Sequence, residues 1–303
     1  MSILALINPS SGGARTLKSL DTIKSWTHNK GGDWIISESE AHFRKIIREL
    51  PASVTILSVA GGDSSIRIAA HELYANQKKQ SLGVLPLGSA DDIARHLGII
   101  NLRQAFQAID KDPVPAGLCQ IKAGEQQTSY LGAASFGLGS LVNQVVLKMK
   151  QKNRLWQKWQ FLAGAIAINK VLKSKDLPMA LKVNDGSLAE SSNLLISQIR
   201  YWSSGRPFTP EARLDEEELH SSVMKPTSFS TLAKLLLKTE EKSYASSSLL
   251  ERFKEKKFLI EFEVKQSVQL DGDVWRGPNN GEIIMAKKFE LWKKPRALKI
   301  HSL

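Results

Sequence analysis

Two carboxylates stand in short glycine-bearing loops, at the places where a chain can approach a phosphate. Asp63 lies in Gly61-Gly62-Asp63-Ser64-Ser65, and Asp92 closes Pro86-Leu87-Gly88-Ser89-Ala90-Asp91-Asp92. Glycines let the backbone come close to a phosphate, and the N–H groups that open a helix bind anions. The hydroxyls of Ser64, Ser65 and Ser89 add donors or cap the helix start. A carboxylate inside such a cradle repels phosphate unless it holds a metal ion or takes up a proton. An aspartate that merely caps a sharp turn gives the same local sequence, so one loop alone leaves both readings open. Two loops on one sheet edge, with Asn8 to Gly13 beside them, favour the phosphate reading.

Those loops require strands and helices to present them. Ile3 to Ile7, Val54 to Ala60 and Gly83 to Leu87 are short apolar runs of the kind a strand buried on both faces produces. Each is followed by a turn cluster and then a helical pattern. In the second helix, Ile66, Ala69, Ala70 and Leu73 fall at i, i+3, i+4 and i+7 and form one apolar face. Three strand–loop–helix units predict a parallel sheet covered by helices, with the loops along one edge. Beyond residue 123 the texture changes to strand signals at 193–201, 258–264 and 282–292 and a tight turn at Asn184-Asp185-Gly186. Helices are expected near 141–173 and 228–238. The expected organisation is an α/β domain over 1–123 and a mainly β domain over 124–292, with the tail at about 293–303 packing back on the first.

The ordered motifs Asn8-Pro9 with Ser11-Gly12, Gly61-Gly62-Asp63, Pro86-Leu87-Gly88-Ser89, Asp92-Ile93-Ala94-Arg95, Pro210-Glu211-Ala212 and Leu270-Asp271-Gly272-Asp273 resemble the diacylglycerol kinase catalytic-domain family. That family includes bacterial lipid kinases, sphingosine kinases and ceramide kinases, and is distantly related to NAD kinases. The resemblance implies an N-terminal Rossmann-like parallel sheet, a C-terminal β-sandwich and an active site in the cleft between them. It implies transfer of the γ-phosphoryl group of ATP, with Mg²⁺, to a lipid hydroxyl such as that of diacylglycerol. Asn8, Ser11, Gly61, Gly62, Ser64, Ser65, Gly88 and Ser89 would then line the nucleotide. Asp63 and Asp92 would belong to the metal network. Asp271 would be the base, a role that some members give to the carboxylate at the Asp63 position.

The chain departs from the family pattern at several of these positions. Ser64 replaces a glycine, Ser89 a threonine, Asp91 an asparagine, and Asp273 the glutamate of the last motif. Pro115-Ala116-Gly117 lacks an expected carboxylate, and the Asp-Gly expected after Pro210-Glu211-Ala212 is overwritten within Asp215-Glu216-Glu217. These changes motivate a second reading, a nucleotide- or lipid-binding homologue that has lost catalysis. A third is a kinase of a soluble hydroxyl, as in NAD kinases; an apolar slot would argue for lipid, a polar pocket for a soluble acceptor.

Charge and composition bound the partners. The 303 residues carry 42 Lys and Arg against 30 Asp and Glu, a net charge of +12, which suits a polyanionic partner or an anionic membrane surface. Lys148, Lys150, Lys152, Arg154 and Lys158 surround Trp156 and Trp159, a combination that suits a membrane interface. A helix with its tryptophans in the core and its lysines solvated fits the same residues. The single cysteine, Cys119, excludes an internal disulfide framework. No apolar run is long enough to cross a bilayer. The start Met1-Ser2-Ile3-Leu4 lacks the basic opening of a signal peptide, so a cytoplasmic location, peripheral at the membrane, is the expectation. Nucleic-acid binding has only net charge behind it and is not expected. The six histidines show no metal-ligand spacing, and His71 and His96 are expected on helix surfaces.

Overall fold

The computed structural model describes residues 2–11, 14–153, 156, 159–277 and 281–303. The first half alternates strand and helix as the apolar runs dictate: β1 (Ile3–Ile7), α1 (Ala14–Asn29), β2 (Asp33–Ile36), α2 (Glu40–Arg48), β3 (Ile56–Gly61), α3 (Asp63–Ala75), β4 (Ser81–Pro86), α4 (Asp92–His96) and α5 (Leu102–Ile109). The strands pair in parallel in the order β2-β1-β3-β4. β1, β3 and β4 are buried along their whole length, which explains why they read as unbroken apolar runs.

The remaining strands are β5 (Val114–Ala123), β6 (Gln126–Tyr130), β7 (Ala133–Gly137), β8 (Met179–Val183), β9 (Ala189–Ser191), β10 (Asn193–Ser197), β11 (Leu219–Met224), β12 (Leu250–Glu251), β13 (Lys254–Glu255), β14 (Lys257–Gln266), β15 (Val268–Leu270), β16 (Asp273–Val274) and β17 (Ala286–Ile300). Between them lie α6 (Leu138–Lys152) and the helices Gln160–Leu172, Phe229–Leu236 and Glu241–Ala245.

The parallel sheet does not stop at β4. β17 pairs with it at Ile300 and Leu82, and then runs on to pair with β5 and β14 in the second half. A single ten-stranded sheet therefore serves both halves. A seven-stranded antiparallel sheet, β12-β11-β10-β7-β15-β16 with β13 on β11, packs against its distal part. Phe136 of β7 meets Phe289 of β17 edge-on at 4.9 Å and Phe262 of β14 at 5.4 Å, which makes this part a sandwich. The strand expected over 282–292 begins at Ala286 and continues to Ile300, and His301 and Leu303 donate backbone hydrogen bonds to Leu82 and Leu97.

Candidate active site

The loops after β1, β3 and β4 meet along one sheet edge. The Asn8 N–H donates to the Ala60 carbonyl at 2.9 Å, and the Leu87 N–H to the Gly61 carbonyl at 3.0 Å. The Asn8 side chain donates to the Ser65 hydroxyl at 2.9 Å. At the centre, two glycines touch through their backbones. A Cβ on Gly88 would lie 2.6 Å from the Gly62 Cα, and one on Gly62 would lie 3.1 Å from the Gly88 Cα and from the Ser11 hydroxyl. No side chain fits between the two loops, so the glycines are required there. Ser89 is exposed at the rim. Gly12 and Gly13 lie outside the described residues.

The carboxylates of these loops have backbone partners. Asp63, the first residue of α3, accepts from the Asp92 N–H at 3.1 Å and the Ile93 N–H at 2.9 Å, so it caps α4 from the neighbouring loop. Asp92 in turn accepts from the Ser204 N–H at 3.2 Å and the Gly205 N–H at 2.5 Å. Residues 203–205 all have positive φ, 58°, 65° and 86°, and for two serines that backbone is strained. Asp92 thus joins the glycine loops of the first half to a turn of the second half. Burial pushes the Asp63 carboxyl well above the usual carboxylate range, with the Asp92 charge adding to it. Burial also raises Asp92, against the two N–H donors. Asp91, with φ of 52°, accepts from the Gly88 N–H at 2.8 Å. An Asx side chain tolerates that left-handed backbone, which accounts for the residue type there.

Asp271 sits across the cleft in a concave stretch of backbone. Its Oδ2 accepts from the Leu131 N–H at 2.7 Å, and its Oδ1 from the N–H groups of Gly132 at 2.8 Å and Ala133 at 2.7 Å. Burial outweighs these donors and lifts its carboxyl to about 6, while the Arg67 guanidinium pulls it down. Burial likewise raises Asp273, and Arg67 and the Ser64 hydroxyl oppose it. The side chains of Ser64 and Arg67 on α3 therefore face the β15–β16 turn region that carries Asp271 and Asp273. The Asn143 side chain donates to the Gly272 carbonyl and fastens α6 to the same loop.

Asp63, Asp92 and Asp271 line one cavity of about 250 Å³. Most of its other walls are apolar, among them Val142 and Val146 of α6, Ile168 of the 160–172 helix, Leu232 and Leu236 of the 229–236 helix, and Phe208, while Asn143, Ser203 and Gln269 are polar exceptions. Three carboxylates share one largely apolar cavity.

Several placements were not legible in the sequence. His96 is half-buried at the helix surface: its Nδ1 accepts from the Arg200 N–H at 3.1 Å, and burial lowers it to about 4. His71 is also largely enclosed, and burial lowers its pKa. The cavity walls come from helices whose sequences carry no functional motif, and the turn at 203–205 shows only as Ser-Ser-Gly. Asp215 and Glu216 lie near Lys293, a buried lysine whose Nζ donates to the Arg213 carbonyl at 3.0 Å. Among the described residues, no three His, Cys, Asp or Glu side chains converge as a ready-made metal cage.

The diacylglycerol kinase catalytic domain matches residues 2–121. Proteins named "Probable lipid kinase YegS-like" align with the chain. The one from Pseudomonas aeruginosa strain PAO1 is 34% identical over 101 residues, 33% of this chain and 32% of its own length. The one from Shewanella frigidimarina is 24% identical over 249 residues, 78% of this chain and 75% of its own length. The aligned region thus spans about a third of the Pseudomonas relative. A solved diacylglycerol kinase structure from Bacillus anthracis str. Sterne superposes with a TM-score of 0.68 at 16% identity, over all of this chain and 97% of that one. A second structure from the same organism gives 0.73 at 18%. At such identities the likeness is one of fold alone, and as a fold it covers the whole chain. Residues 2–121 match the diacylglycerol kinase catalytic domain, and with the motifs at 61–63, 86–89 and 270–273 placed around one cleft the whole chain is similar to that family in fold.

Proposed function

We propose that the chain is an ATP-dependent lipid kinase, with residues 1–123 holding the nucleotide and residues 124–292 the acceptor. The observation that carries this reading is the largely apolar cavity that Asp63, Asp92 and Asp271 line together. A slot with such walls suits an acyl chain whose hydroxyl reaches the carboxylates, and suits a soluble nucleotide acceptor poorly.

The lipid oxygen attacks the γ-phosphorus, the bond to the ADP oxygen breaks, and the hydroxyl proton passes to Asp271. Oδ1 of Asp271 accepts two N–H groups and Oδ2 only one, so Oδ2 keeps a lone pair for that proton. A carboxyl at about 6 is largely ionised near neutral pH and still basic enough to take it. Asp63 is assigned a different task, because both its oxygens already fix the start of α4. The contact between Gly62 and Gly88 fits a phosphate chain, since it leaves backbone N–H groups unobstructed by Cβ atoms. Asp63 and Asp92 are the residues that would hold Mg²⁺, which would draw its other ligands from phosphate oxygens and water. When bound, the ion neutralises charge on the phosphates.

Filling the slot separates the readings. Val142→Trp is expected to raise the lipid KM or lower kcat at least tenfold while leaving the Kd for ATP unchanged. Unchanged lipid kinetics in that variant would show that the acceptor does not enter the cavity.

A further inference from the structure

We infer that the outer faces of α6 and of the 160–172 and 229–236 helices form a docking surface for an anionic lipid bilayer, placed so that the cavity they wall is fed from the membrane. The inference rests on the lipid kinase reading for its purpose, and on its own observations for its existence.

The first observation is a helix that is apolar on two sides. In the 160–172 helix, Ala163, Ala167 and Val171 are buried at i, i+4 and i+8. Leu162 and Ile166 repeat at the same interval on an adjacent side, about 100° round the helix, and are 46% and 42% exposed. Trp159, just before the helix, is 60% exposed, so this tryptophan does not pack in the core. Surface helices ordinarily turn polar residues outward; one that does not is covered by something. The 229–236 helix shows the same inversion at its ends, with Phe229 exposed and Leu237 84% exposed. Ile168, Leu232 and Leu236 on these two helices line the cavity from within. The exposed apolar residues and the acceptor slot are thus two sides of the same wall.

The second observation is charge, and it selects the occupant. Residues 126–175 contain eight Lys and Arg and no Asp or Glu, and residues 219–239 contain three Lys and again no acidic residue. Lys170 and Lys173 continue the outward row of Leu162 and Ile166, and Lys234 lies on the exposed side of the 229–236 helix. Large apolar side chains surrounded by cations without intervening carboxylates complement an interface of acyl chains beneath anionic headgroups. A second copy of this chain would bring the same positive charge to the contact and be repelled. Arg154 and Lys158 add to the sequence count and lie outside the described residues.

The full-length protein is mixed with vesicles of pure phosphatidylcholine, or of phosphatidylcholine with an equal share of phosphatidylglycerol, and bound protein is measured by sedimentation. Strong binding to the anionic vesicles alone, weakened by salt, is expected. Leu162→Glu with Ile166→Glu should reduce it at least tenfold, and each of Lys170→Glu and Lys234→Glu at least about fivefold. These positions are exposed, so the variants should keep the wild-type Tm, and those that do are the ones read. Unchanged vesicle binding in all of these variants would overturn the inference. So would a wild-type dimer that Leu162→Glu with Ile166→Glu dissociates while vesicles bind neither form. Vesicle binding without phosphoryl transfer to any lipid would leave the surface standing and remove the kinase reading. Transfer to detergent-dispersed lipid without vesicle binding would do the reverse.

Discussion

Oδ2 of Asp63 accepts the backbone N–H of Asp92 at 3.1 Å, so the two loop carboxylates are linked in series and not simply placed side by side. Asp63 caps α4, and Asp92, the first residue of α4, caps the turn at 203–205. Any ligand that draws on Asp92 therefore acts on a link between the glycine loops of the first half and the turn at 203–205 in the second. Asp92→Ala should free the strained turn, destabilise the protein by about 1–3 kcal/mol and weaken both substrates. Thermal unfolding with and without ATP checks this, and an unchanged Tm would contradict it.

Asp271→Asn should lower kcat by about 10²–10⁴-fold, the usual contribution of a general base, with the Kd for ATP unchanged. A parallel loss of ATP affinity would mean that Asp271 serves the nucleotide.

The pH dependence has a defined sign. With the Asp271 carboxyl raised from 3.8 to about 6, log kcat should climb with pH and level off above about pH 6. A carboxyl raised by folding also keeps its proton where the unfolded chain has lost it. Its contribution to stability is present below pH 3.8 and is lost as pH rises to about 6. The loss is about 3 kcal/mol at most, by the conversion of a pKa difference to free energy. Asp271→Asn pays a constant cost, because one amide hydrogen faces an N–H donor. Its Tm relative to wild type should nevertheless improve between pH 4 and pH 7. A difference in Tm that does not vary with pH would contradict the raised carboxyl.

Asp91→Asn should tighten ATP binding about five- to tenfold. Asparagine keeps the oxygen that accepts from the Gly88 N–H and tolerates the positive φ, while one negative charge beside the Gly88 loop disappears. Calorimetry reads the Kd directly, and weaker binding would show that the carboxylate itself serves the nucleotide site.

Gly88→Ala should abolish measurable ATP binding, since the new Cβ would lie 2.6 Å from the Gly62 Cα and from Asp91 Oδ1. Wild-type affinity in a folded Gly88→Ala protein would place the phosphates elsewhere.

The parallel strands were legible because β1, β3 and β4 are buried on both faces and read as apolar runs, and the glycine loops because close backbone contact admits no other residue. The continuous sheet was not, because β17 changes partners along its length, and alternation within a strand does not show where its neighbours change. The backbone donors to Asp271 come from residues 131–133, some 140 positions away, and local sequence carries no trace of such a contact. The cavity was illegible for a similar reason: Val142, Ile168 and Leu232 look like ordinary core residues until three helices bring them around one space.

The most direct test of the central claim is to follow the label from γ-³²P-ATP with Mg²⁺ in the presence of diacylglycerol in mixed micelles or, separately, of NAD. Label in the organic phase with diacylglycerol, none on NAD, and loss of the lipid product in Asp271→Asn is the predicted result. Label on NAD, or no transfer to any lipid hydroxyl by protein that binds Mg²⁺-ATP, would contradict the account.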